Sequence, residues 1–231
     1  MVVVGAHHHY PSIESKIIGG HPGNIRQFPY QILIKIHTTN GGGGGYVQCG
    51  GSLISAYWVL SAAHCFYRGG ITRTAQQVFI HDQYDGHQSV NDLALIRVAD
   101  GQPFPYSSTI RPISMSNGYV ADGVWAWVTG WGYLTANGKQ IPDQFQVLQV
   151  RTSSLQLCKH VYNNIQPTMD NLCTTTGNTG ICQGDSGGPL ALNGQLIGVI
   201  TSSPDRCGNG NPDIYMNVSA YRQWIYNIAG I

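Results

Sequence analysis

Charge is what this chain has least of. Charged residues make up 10% of its 231 positions, against roughly 25% in an average domain. Twelve Lys or Arg face 11 Asp or Glu, a formal net charge of +1. No basic block interrupts that balance, which argues against nucleic acid or an anionic membrane as partner. Long apolar runs are missing too, and none approaches the roughly 20 residues that a membrane helix needs. Met1-Val2-Val3-Val4-Gly5-Ala6 is apolar but too short for the core of a signal peptide, and it lacks a basic start. There is no Cys-x-x-Cys pair. The six cysteines, an even number, suit an oxidising compartment better than a zinc site.

Glycine is abundant, at 30 residues, and hydrophobic residues make up 42%. This composition suits a globular chain with many tight turns, as one large or two small domains. Strand-like alternation recurs. Gln31-Ile32-Leu33-Ile34-Lys35-Ile36-His37 has apolar residues at every second position. Similar segments are Gln77–Ile80, Leu93–Ile96, Trp125–Thr129, Phe145–Val150 and Leu196–Ile200, and turn signals between them predict barrels or a sandwich. Gly41 to Gly45 predicts a loop. Leu155 to Asn163 predicts a short helix. Ser219 is the expected N-cap of a C-terminal helix in which Trp224, Ile225 and Ile228 share a face. Asn217-Val218-Ser219 also fits a glycosylation sequon, although capping explains Ser219 better. Residues 1–16, with His7-His8-His9, read as an irregular solvated leader, and Arg111 to Gly123 as the link between two halves.

The densest chemical signal is Gln183-Gly184-Asp185-Ser186-Gly187-Gly188-Pro189-Leu190. A hydroxyl becomes a nucleophile only when a base removes its proton and donors receive the oxyanion that results. Glycines on both sides let the backbone bend sharply and leave room for a substrate carbonyl. Upstream, Ala62-Ala63-His64-Cys65 sets an imidazole behind the apolar run Trp58-Val59-Leu60. Asn91-Asp92-Leu93-Ala94-Leu95-Ile96 sets an acid at the head of a strand-like segment. With the order His64, Asp92, Ser186, the chain resembles the trypsin/chymotrypsin family of serine endopeptidases. The resemblance runs from Ile17 to nearly the last residue.

The resemblance implies an all-β fold of two antiparallel Greek-key barrels of the six-stranded type, with a C-terminal helix. Residues 17–231 would form the peptidase domain, with 17–112 as the first barrel and 113–231 as the second barrel and helix. His64 would act as base and acid, Asp92 would orient it, and the N–H groups of Gly184 and Ser186 would form the oxyanion hole. Composition alone allows fifteen cysteine pairings. The family pattern selects Cys49–Cys65, Cys158–Cys173 and Cys182–Cys207. Lys16-Ile17-Ile18-Gly19-Gly20 matches the family's activation sequence. Cleavage after Lys16 by a trypsin-like protease would free an Ile17 ammonium to pair with Asp185. The expected protein is a secreted, monomeric zymogen that needs no metal or cofactor. Its partners would be peptide and protein substrates, an activating protease and protein protease inhibitors, with no nucleic acid and no membrane.

Two departures from the family pattern set further expectations. In the family the acid follows the histidine by about 45 positions and the serine follows the acid by about 93; here the gaps are 28 and 94. Roughly 17 residues are therefore absent, near Gly69-Gly70-Ile71. The absent piece normally carries a barrel strand and a calcium-binding loop, so the first barrel is expected to be short of a strand and to bind no calcium. In the specificity pocket, Gly180 replaces the acid of trypsins and Asp213 stands where most relatives have glycine, as in crab collagenolytic serine proteases. That combination implies a chymotrypsin-like or broad preference. Thr201, Ser202 and Ser203 would line the substrate strand, or, one residue further on, Pro204 would end it. The rival expectations are a non-catalytic homologue that binds or decoys proteins, and an incomplete version of an active protease.

Overall fold

The computed structural model describes residues 2–3, 17–38, 45–66, 75–86, 90–136, 138, 141–162, 167–175, 177–202 and 207–231. The deletion point at 69–71, the histidines of the leader, Lys16, Asn163, Ser203, Pro204 and Gly41–Gly44 lie outside these residues.

The first half is a curled antiparallel sheet. Its strands are β1 (Val2–Val3), β3 (Gln31–Thr38), β4 (Gly45–Leu53), β5 (Trp58–Ser61), β6 (Ala75–Ile80) and β7 (Ala94–Val98), while β2 (His21–Pro22) belongs to the second half. The sheet order is β1-β3-β4-β5-β7-β6. The alternation read in the sequence explains β3, where Ile32, Ile34 and Ile36 are buried and Lys35 is exposed. Between His64 and Asp92 the described residues hold one strand, β6, and among them no pairing joins the two ends of the sheet. Among the described residues the outer edge of β3 pairs with Val2–Val3, which face Ile34 and Leu33. This corrects the expectation of a wholly irregular leader: two β-branched residues meet an edge that the shortened sheet leaves open.

The second half closes. It contains β8 (Ser114–Met115), β9 (Trp125–Gly130), β10 (Gln146–Ser153), β11 (Asn171–Thr175), β12 (Pro189–Leu192), β13 (Gln195–Ser202) and β14 (Asp213–Asn217). The order β11-β14-β13-β12-β9-β10 is joined into a ring by pairing of β10 with β11, with β2 on the side of β10 and β8 parallel to β13. Val128, Val150, Leu190, Ile197, Ile200 and Tyr215 fill the ring. The fold is thus two β-barrels, of which the described residues close the second into a ring.

Two helices accompany the barrels. α1 (Leu155–Val161) starts at Ser154, whose side chain accepts from the Leu157 N–H. α2 (Arg222–Ala229) buries Ile225, with Trp224 and Ile228 packed beside it. Its cap differs from the expectation. A 3-10 turn, Val218–Tyr221, precedes α2, and Asn217 caps that turn by accepting from the Ser219 N–H at 3.3 Å and the Ser219 hydroxyl at 2.8 Å. Ser219 is therefore a donor to the cap. Asn217 also donates to the Met169 carbonyl, at 3.3 Å.

Candidate active site

His64 sits in a single 3-10 turn, Ala63–Cys65, directly after β5. Ala62 and Ala63 are fully buried, so the turn packs tightly and only the imidazole projects from it. The Cys49–Cys65 disulfide ties the turn to β4. Cys158–Cys173 and Cys182–Cys207 are also formed, which are the three pairs that the family pattern implies. Cys49, His64 and Cys65 lie close enough to suggest a metal cluster. Both sulfurs, however, are spent on each other.

Asp92 is 1% exposed, and three donors converge on it. The His64 backbone N–H donates to Oδ1 at 2.8 Å, and His64 Nδ1 meets Oδ2 at 2.6 Å. The Thr201 hydroxyl also donates to Oδ2. The carboxylate therefore fixes both the turn and the ring. With Nδ1–H given to Asp92, the neutral imidazole keeps Nε2 as its free acceptor. Thr201, expected to line the substrate strand, lies on β13 and turns its hydroxyl to the acid. Ser202 continues β13 next to it.

The residue before the acid is itself constrained. Asn91 has φ 53°, in the left-handed region that Asn tolerates better than most residues. Its Nδ2 donates to the Gln83 carbonyl at 2.9 Å, and its Oδ1 accepts from the Tyr221 hydroxyl at 3.1 Å. Asn91 thus clamps the bend that aims Asp92. Its place beside the acid was the only sequence signal available.

Ser186 occupies a turn held from every side. Gly188 N–H donates to the Asp185 carbonyl at 2.9 Å, Gly187 N–H to Ile200 at 2.8 Å, and Gly50 N–H from β4 to the Ser186 carbonyl at 2.7 Å. That carbonyl lies 3.8 Å from Cys65 Sγ, so Ser186 abuts the turn that carries His64. No hydrogen bond joins Ser186 Oγ to the imidazole in this unliganded arrangement. Among the described residues the N–H groups of Gly184 and Ser186 donate to nothing within the chain.

Asp185 is fully buried and accepts from Gly132 N–H at 2.7 Å and Cys182 N–H at 2.9 Å. A Cβ on Gly132 would lie 2.2 Å from its Oδ2, so only glycine fits there. No cation faces the carboxyl among the described residues, and burial pushes its pKa up from 3.8 to about 7. Ile17 is also fully buried, and Gly180 N–H donates to the Ile18 carbonyl at 3.1 Å, so the segment after Lys16 is already seated. A consequence follows for the uncleaved chain. Burial favours the neutral acid, so this contribution to stability is full below about pH 4 and is lost as pH rises through about 7. Melting temperature should fall across that window by an amount that Asp185→Asn removes, measured by calorimetry on both proteins.

Asp213, the first residue of β14, is buried, at 3% exposure, and its Oδ2 accepts from Ile181 N–H at 3.1 Å. A Cβ on Gly180 would lie 2.9 Å from that same oxygen. The carboxyl of Asp213 thus reaches the ground that a side chain at 180 would occupy, and does not point to water. Burial pushes its pKa well above the ordinary value, and the nearby Asp185 adds to the shift.

Two β-barrels with an imidazole–carboxylate pair from one half and a glycine-flanked serine from the other have the layout of a chymotrypsin-fold serine protease. The family model described as Trypsin matches residues 17–225, and the chain belongs to that family. It is 31% identical to Trypsin delta of Drosophila melanogaster, over 95% of this chain and 90% of that protein. It is 32% identical to Trypsin II-P29 of Gallus gallus, over 92% and 88%. Among solved structures it is similar to HL collagenase, with a TM-score of 0.80, 28% identity, and coverage of 93% of this chain and 99% of that one.

Proposed function

We propose that this chain, once cut between Lys16 and Ile17, is a secreted serine endopeptidase that hydrolyses peptide bonds through an acyl-enzyme. The observation that carries this reading is the two-point grip of Asp92 on His64. It leaves Nε2 unprotonated and turned over to its second task. His64 Nε2 takes the proton from Ser186 Oγ as that oxygen attacks the scissile carbonyl. The N–H groups of Gly184 and Ser186 receive the oxyanion. Removing one such donor typically costs about 10²–10³ in rate. Collapse of the tetrahedral adduct breaks the C–N bond, and the leaving amine takes the proton from His64. Water then repeats the sequence, releasing the acid and restoring Ser186.

The other parts of the proposal follow from the same residues. Among the described residues the buried carboxyl of Asp185 faces no cation, and an ammonium at Ile17 would supply one. Such a pair adds little net stability but selects one conformation over another. The Gly180–Asp213 arrangement favours a broad P1 preference: apolar side chains against a neutral acid, and Lys or Arg against an ionised one. Three disulfides in a short chain favour the extracellular space. Residues 17–112 and 113–231 serve as the two barrel units, and the working form is a monomer.

The test is limited treatment with trypsin. A new N-terminus at Ile17, appearing in step with hydrolysis of peptide amides, is the expected result. Cleavage at Ile17 in folded protein without any hydrolysis would overturn the proposal.

A further inference from the structure

Nothing in the sequence marks Gln48. It stands on β4 beside Cys49, and its Nε2 donates to the Trp131 carbonyl at 2.9 Å. That carbonyl belongs to the same peptide group as the Gly132 N–H, which donates to Asp185 Oδ1 at 2.7 Å. One peptide is therefore held at both ends, by the first barrel through its oxygen and by the buried carboxyl through its nitrogen. A carbonyl that accepts a hydrogen bond makes its own N–H a stronger donor. The same group borders the next turn. A Cβ on Gly184 would lie 3.2 Å from Gly132 Cα, 3.6 Å from Gln48 Nε2 and 3.7 Å from the Trp131 oxygen.

We propose that Gln48 is a positioning residue for the oxyanion hole. By holding the 131–132 peptide it fixes Asp185, and through Asp185 the paired N–H groups of Gly184 and Ser186. The proposal rests on the peptidase reading above for its catalytic meaning. It adds a link between the halves of the molecule: the strand that bears Cys49 and Gly50 also sets the donor that receives Asp185.

The consequence is readable in pH. In the cleaved protein the Ile17 ammonium pairs with Asp185, which raises its pKa above the ordinary range of about 7.7–8.0. The conformation that depends on this pair is complete below that raised value and is lost as pH rises through it. Loosening the socket lowers the midpoint. Among the described residues the other titratable groups that face Asp185 are Asp213 and Tyr215 on β14, both buried, with Tyr215 pushed far up by burial. They are unchanged by a substitution at 48. Losing one ordinary hydrogen bond shifts the conformational equilibrium by about fivefold. By linkage the alkaline midpoint should drop by about 0.7 of a pH unit.

The experiment compares cleaved wild type, Gln48→Met, which keeps the length and loses the donor, and Gln48→Lys, which keeps a donor. Activity per serine titrated by a phosphonate is followed from pH 7 to 11, and the alkaline limb of thermal stability is measured alongside. Expected are a lower midpoint for Gln48→Met in both measurements, a KM within about twofold of wild type, and recovery toward wild type in Gln48→Lys. A purely structural Gln48 would lower melting temperature at every pH without moving the midpoint, and that result overturns the proposal. An inert wild type would defeat the peptidase reading alone, because the thermal midpoint still reports the socket.

Discussion

Asp92→Asn should leave the protein folded and reduce kcat by about 10⁴-fold. Three donors meet this carboxylate: His64 N–H, His64 Nδ1 and the Thr201 hydroxyl. A carboxylate accepts from all of them, whereas an amide offers one oxygen and an NH₂ group. If the oxygen faces the backbone N–H and keeps the turn in place, the NH₂ faces the ring and forces the tautomer with its proton on Nε2. That ring cannot take a proton from Ser186. Ser186→Ala should fall further, by about 10⁶-fold. The check is kcat for a peptide amide on cleaved protein at neutral pH, with circular dichroism to show that the fold persists. Asp92→Asn activity within tenfold of wild type would mean that the His64–Asp92 pair is structural only.

Asp213→Asn should reduce cleavage after Lys and Arg by about 10²-fold, the scale of a charge-assisted hydrogen bond made in a dry pocket. Cleavage after Phe and Leu should stay within about threefold, because the amide oxygen still accepts from Ile181 N–H and the pocket keeps its shape. The wild type should also show a preference that moves with pH. Burial holds the Asp213 carboxyl neutral over a wider range than usual. Apolar residues should therefore be favoured at lower pH, with Lys and Arg gaining as the acid ionises. Measuring kcat/KM for matched Lys and Phe substrates across pH gives both results. An equal loss on both substrates would show that the carboxyl does not read the side chain.

Much of this site is legible in the sequence because each part carries its own local chemistry. The glycine-flanked Ser186, His64 behind an apolar run and Asp92 at a strand head are local patterns. Strand β3 announces itself through alternation, and β9 and β13 through short apolar runs. β4 does not, since Gly45, Gly50 and Gly51 break the pattern in a strand whose small residues allow close approach to the serine turn. β14 gives no period-2 signal either, because Asp213, Ile214, Tyr215 and Met216 are all buried. The closure of the second barrel by β10 and β11, and the pairing of Val2–Val3 with β3, are long-range registers that no local window contains. The shortened His64–Asp92 interval agrees with the single strand, β6, that the described residues hold there, because chain length between two fixed points limits what can lie between them. The hydroxyl of Thr201, the clamp at Asn91 and the amide of Gln48 were hidden for a common reason. Each is a polar side chain whose partner is far away in sequence.

A first barrel with only 28 positions between His64 and Asp92 should still present His64, Asp92 and Ser186 as a working unit. Phosphonate labelling tests it most directly. Protein cut at Ile17 and shown to be folded is incubated with a peptidyl phosphonate and mapped by mass spectrometry. The expected outcome is one adduct per chain, on Ser186, forming quickly in wild type and very slowly in Asp92→Asn. A folded, cleaved wild-type protein whose Ser186 stays unmodified would contradict it.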